Sequence, residues 1–130
     1  MAVRAVRGAT QLETDDRDHL LERVAEMVGD LMAANALSVD DFISVIFTAT
    51  PDLVSEFPAY AARLLGFDDI PLICAREIDV AGAMPRVVRM MAHVETDLAR
   101  NEVTHVYLHG AALLRRDLSR VHSVPDGDPA

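Results

Sequence analysis

The chain has 130 residues, a formal net charge of −9 and 51% hydrophobic residues. That length supports one core and a single domain. The acidic balance argues against a nucleic-acid or anionic-membrane partner, both of which require a basic face. Cys74 is the only cysteine, so no internal disulfide can form. The Met1–Arg7 stretch is too short and too often interrupted by arginine for a signal peptide. No apolar run approaches the ~18 residues of a membrane span. A cytoplasmic protein is expected.

In chain order, Val3 to Thr10 alternates apolar and arginine positions, which predicts a strand ending near Arg7 and Gly8. The acidic start at Asp15, Asp16 and Asp18 precedes Leu20, Leu21, Val24, Met27, Val28, Leu31 and Met32 at helical spacing. A long amphipathic helix ending near Asn35 follows from that pattern. Ser38–Asp41 reads as a turn, and the β-branched, aromatic run Phe42–Ala49 as a central strand. Pro58 in a first turn and Gly66 as a C-cap bracket a second helix. Pro71–Cys74 is a short strand, Met84–Val94 a longer one, Thr96–Asn101 a turn, and Thr104–Leu108 a last strand. Five strands and two main helices in this order predict an α+β domain, a mixed sheet with both helices packed on it. The domain is expected over residues 1–120, with 121–130 as a flexible tail.

The strand from Met84 carries the unusual residue. Period-2 alternation puts Val88, Met90, Ala92 and Val94 on one face, and Val87, Arg89, Met91 and His93 on the other. Arg89 is thus a guanidinium in an apolar run with no acidic strand neighbour. Desolvating it unpaired would cost several kcal/mol, so it needs a partner. That partner is either a distant carboxylate or an anionic ligand. The chain contains no lysine, so any anion site here uses the forked donors of arginine.

Other chemistry-bearing groups fall at strand ends or in the loops after them: Arg7, Arg63, Cys74, Glu77, Tyr107 and Arg115. Each has an ordinary reading. The arginines suit a solvated surface, Glu77 suits an ion pair with Arg76 or Arg89, and Cys74 suits a small core position. One cysteine and scattered histidines give no zinc-ligand spacing, and there is no glycine-rich phosphate loop. No metal or cofactor is called for. The set is equipped to bind an anion and stabilise developing charge, and poorly equipped for covalent catalysis.

Taken together, Val6-Arg7-Gly8-Ala9-Thr10, Ala49-Thr50-Pro51-Asp52-Leu53, Phe57-Pro58-Ala59, Glu77-Ile78-Asp79-Val80, Val88-Arg89-Met90-Met91, His105-Val106-Tyr107-Leu108 and Leu114-Arg115-Arg116-Asp117-Leu118 resemble the monofunctional chorismate mutases of the AroH class. The resemblance implies a bacillus chorismate mutase-like fold, assembled as a homotrimer, a pseudo-α/β barrel with active sites in clefts between subunits. It implies an isomerase of the phenylalanine and tyrosine branch that converts chorismate to prephenate without a cofactor. By motif, Arg89 would meet the ether oxygen and a carboxylate, Arg7 and Tyr107 would hold carboxylate, and Glu77 with the Cys74 segment would meet the ring hydroxyl. Phe57, Ala59, Tyr60, Arg63, Ile73, Leu114 and Arg115 would complete the pocket, partly from the adjacent subunit. Tyr60 and Ile73 depart from the family pattern, which has a lysine and a threonine there. Two other readings are a non-catalytic trimeric module binding a dicarboxylate metabolite and a RidA-like imine deaminase. The motifs of the latter are not found.

Overall fold

A computed structural model describes residues 1–114 of the chain. The expected tail, the domain boundary at 120 and Arg115 lie outside the described residues. The elements are β1 (Ala2–Gln11), α1 (Arg17–Ala34), a 3₁₀ turn (Val39–Asp41), β2 (Phe42–Ala49), α2 (Pro58–Leu64), β3 (Leu72–Arg76), β4 (Val87–Thr96) and β5 (Val106–Leu108). They form one mixed sheet in the order β3-β2-β4-β1-β5. β4 is antiparallel to both β1 and β2, whereas β3 and β5 join the edges in parallel. This is the α+β domain that the pattern predicts.

The helices cover one face because their apolar stripes match the alternation of the strands. On α1, Leu20, Val24, Met27, Val28 and Leu31 are all fully buried. They meet Val6 of β1 and Val88, Met90, Ala92 and Val94 of β4, which are at most 3% exposed. Asp16 caps the helix, its carboxylate accepting from the His19 N–H at 3.0 Å. At the other end the buried Asn35 donates from Nδ2 to the Leu31 and Thr104 carbonyls, both at 2.9 Å, and accepts from the Thr104 N–H at 2.8 Å. One amide thus closes the helix and ties it to the segment before β5. Beneath α2, Phe42 and Phe67 pack edge to face with centroids 4.8 Å apart.

β3 spans Leu72–Arg76 rather than Pro71–Cys74, and β4 and β5 start two to three residues later than their sequence pattern suggests, for reasons of hydrogen bonding. β5 begins at Val106 rather than Thr104, because the Thr104 backbone is committed to Asn35. β4 begins at Val87 rather than Met84. Pro85 has no N–H to donate, and Arg86 has φ +53° with its N–H donating to the Asp52 carboxylate at 3.0 Å. The opposite face is covered only at its Ala9 and Val87 end, where both residues are at most 1% exposed, and is otherwise open among the described residues. There Val3, Ile43, Ile46, Ile73 and Met91 are 38–60% exposed.

Candidate active site

The candidate groups lie on the open face. Register places Ala75, Thr48, Arg89, Ala9 and Tyr107 in one row across all five strands. The adjacent row holds Ile73, Ile46, Met91 and Arg7. Neighbouring strands lie about 4.8 Å apart. The methyl group of Ala9 therefore leaves a gap between the long side chains of Arg89 and Tyr107. That gap opens into a cavity of about 490 Å³, lined by Arg7, Gly8, Ala9, Ile46, Thr48, Arg89, Met90, Met91, Tyr107 and Leu114.

Arg89 has a carboxylate partner. Its Nε donates to Glu77 Oε2 at 3.0 Å, and the same oxygen accepts from Thr48 Oγ1 at 2.6 Å. Glu77 follows β3 and is fixed there by its own N–H, which donates to the Ala49 carbonyl at 2.9 Å. The Glu77 side chain is 16% exposed and that of Arg89 46%. The pair engages Nε only. Among the described residues the terminal nitrogens of Arg89 make no hydrogen bond or ion pair, and they remain available as a fork.

Arg7 is held through its backbone. Its N–H donates to Nδ1 of His105 at 2.9 Å, so this ring nitrogen must be unprotonated and the proton of the neutral imidazole sits on Nε2. Burial, and then the nearby Arg7 charge, push His105 below its ordinary value. Both causes favour the neutral ring that the hydrogen bond requires. Two guanidinium groups and a phenol thus line one concavity, with the Glu77 carboxylate bonded to one of them, in a chain that is strongly acidic overall. Such an arrangement can hold a small dianion and can stabilise negative charge forming at a fixed point.

The remaining expected residues gather elsewhere. Phe57, 68% exposed, and Cys74 line a second hollow of about 380 Å³ with Leu53, Glu56, Pro58 and Arg76. Cys74 pairs in register with Phe47, so its side chain points to the helix side of the sheet, away from Arg89. Ala59 is buried in the core at 3% exposed, while Tyr60 and Arg63 are exposed on α2. Phe57 N–H and the Arg17 guanidinium hold the Glu56 carboxyl below its ordinary value, and that guanidinium lies 5.5 Å from the centre of the Tyr60 ring. Ile73, 60% exposed, shares the uncovered face with Ile46 but does not line the first cavity. Within one chain, then, Arg7, Glu77, Arg89, Tyr107 and Leu114 come together, and Phe57, Ala59, Tyr60, Arg63 and Cys74 stand apart from them.

Sequence reasoning missed Thr48, Ala9 and His105. The first was within reach, since alternation along β2 puts Thr48 on the face of Ile46. Ala9 matters only for being small between two large neighbours, and that needs the strand order. His105 matters for its ring nitrogen, which takes the place of a strand carbonyl.

The family model described as chorismate mutase type I matches residues 3–118. A chorismate mutase AroH of Thermus thermophilus is 43% identical over 117 residues, covering 89% of this chain and 96% of the relative. One from Bacillus subtilis (strain 168) is 36% identical over 120 residues, covering 92% and 94%. The solved structure of a chorismate mutase from Clostridium thermocellum superimposes with a TM-score of 0.83 at 40% identity, covering 84% of this chain and 97% of that one.

Proposed function

The chain belongs to the chorismate mutase type I family, and from that premise we propose that it rearranges chorismate to prephenate in the cavity between Arg89 and Tyr107. The observation that carries this reading is Arg89 itself. It is a guanidinium on a rigid central strand, anchored through Nε by Glu77, in a side chain that lines the cavity and whose terminal nitrogens make no hydrogen bond among the described residues.

Chorismate is a dianion that must fold into a compact chair before its [3,3] rearrangement. Arg7 and Tyr107 at one side of the cavity and Arg89 at the other hold its carboxylates and select that chair, an effect of proximity and orientation. In the transition state C–O cleavage runs ahead of C–C formation, so negative charge gathers on the ether oxygen. A fixed guanidinium there interacts more strongly with the transition state than with the substrate, and only that difference speeds the step. Glu77 accepts from the ring hydroxyl and offsets positive charge on the ring fragment. No proton transfer, nucleophile, metal or cofactor enters this scheme.

We further read the second hollow as the other wall of the site, supplied by a neighbouring copy in a homotrimer. Phe57, Ala59, Tyr60, Arg63, Ile73 and Cys74 belong to that wall or its surroundings, and Leu114 and Arg115 to the rim. The apolar side chains left exposed on the open sheet face support this assembly, since a face so composed is stabilised by covering. The test is the loss of chorismate absorbance with purified protein, beside an Arg89→Ala sample prepared identically. Loss with prephenate as product, abolished in the variant, is expected. A folded protein that binds chorismate without consuming it would instead be a binding module.

A further inference from the structure

β5 is only three residues long and paired on one edge, yet it carries Tyr107 into the cavity. Immediately after it, His109 adopts φ +55°, a left-handed conformation that a side chain with a β-carbon disfavours. The chain then makes a short 3₁₀ turn over His109–Ala111 and runs to Leu114, the last described lining residue. Backbone held in a disfavoured region persists only where its surroundings over-determine it.

Three contacts do so here. Nε2 of His109 lies 2.7 Å from Oε1 of Glu26 on α1. Gly110 sits against the Gln11 side-chain amide at the end of β1, with no room for a β-carbon unless that amide moves. Ala111 is fully buried. Of these, only the Glu26–His109 pair links the outer surface of α1 to the wall of the cavity, two residues from Tyr107 and five from Leu114. Nothing in the chemistry proposed above employs it.

We propose that the Glu26–His109 pair is a positioning device that sets the Tyr107–Leu114 wall, and so the fit of the substrate carboxylate, from the far side of α1. The pair makes no contact with the cavity and acts through the turn. Its consequence for substrate rests on the chorismate mutase reading, whereas its consequence for Tyr107 does not. Loss of either partner lets the strained turn relax and Tyr107 move, which weakens binding more than it slows the chemical step.

The experiment uses full-length protein. Tyr60 and Tyr107 are the only tyrosines and there is no tryptophan, so in a Tyr60→Phe background the fluorescence is that of Tyr107 alone. Acrylamide quenching of that emission is compared among the parent, Glu26→Ala, His109→Ala and His109→Gln, each well below its own melting midpoint. The glutamine keeps an N–H donor at a reach similar to Nε2. Expected are greater quenching and a KM for chorismate raised roughly 3- to 10-fold in Glu26→Ala and His109→Ala, with kcat changed less than about twofold. The double variant should be no worse than the worse single one, and His109→Gln should stay near the parent. Unchanged Tyr107 quenching would overturn the proposal even if the melting midpoint fell, and so would an unchanged KM in an active parent. Kinetics are read in chains that keep Tyr60, and failure of the unsubstituted protein to convert chorismate would defeat the functional reading alone, because quenching still decides whether the pair sets Tyr107.

Discussion

Arg89 and Tyr107 stand in one row of the sheet, two strands apart, with only the methyl group of Ala9 between them. Ala9 lines the cavity at that point. Replacing Ala9 with valine adds two methyl groups to the floor, directly between the groups proposed to grip the substrate. A fall in kcat/KM of about 10- to 100-fold is expected, with the larger part in KM. Steady-state kinetics and a thermal melt on the same sample separate this from overpacking, which would lower the melting midpoint.

Arg89 with an isosteric neutral side chain tests the electrostatic account. Citrulline keeps the shape and the Nε–H toward Glu77 but removes the charge. The loss of one donor at developing charge corresponds to roughly 2.7–4 kcal/mol. A drop in kcat of two or more orders of magnitude with a smaller change in KM is therefore the expected result. If kcat stayed within about tenfold while KM alone rose, Arg89 would be a binding group. Thr48→Val should act in the same direction and more weakly, since it removes the hydroxyl that holds Glu77 at 2.6 Å.

His105 supplies a pH dependence whose sign follows from its hydrogen bond. Its value in the folded chain lies below the ordinary 6.5, first through burial and then through Arg7. Between the two values the unfolded chain binds more protons, so stability rises with pH there. The contribution is fully present above about 6.5 and is lost as pH falls through the lower folded value. Urea unfolding across that interval should show this slope. His105→Asn keeps an acceptor near Nδ1 without titrating, and should flatten it.

The uncovered sheet face predicts assembly. Ile73, 60% exposed, lies on that face outside the first cavity. Ile73→Asp should leave the monomer folded, as judged by circular dichroism, because the helix-covered core is untouched. Sedimentation should then change from a trimer to a monomer, with activity lost in parallel. A fully active monomer would refute the shared-site arrangement.

Much was written in the sequence because it is local. Alternation along β4 assigned every residue from Val88 to Val94 to its face, since successive side chains of an extended chain point to opposite sides whatever they pair with. The periodicity of α1 gave its buried stripe for the same kind of reason. The motifs around Arg7, Glu77, Arg89 and Tyr107 marked the family. What the sequence left open was the partner of Arg89, an ion pair or a ligand. Parallel pairing of β3 with β2 decided it, by bringing Glu77 beside Thr48 and Arg89 from twelve residues away. The same pairing turned Cys74 to the other side of the sheet. Strand order also made Ala9 the floor of a cavity and His105 a backbone partner. Which strands lie side by side is settled by burying the faces of distant segments together, and no single stretch of chain carries that information.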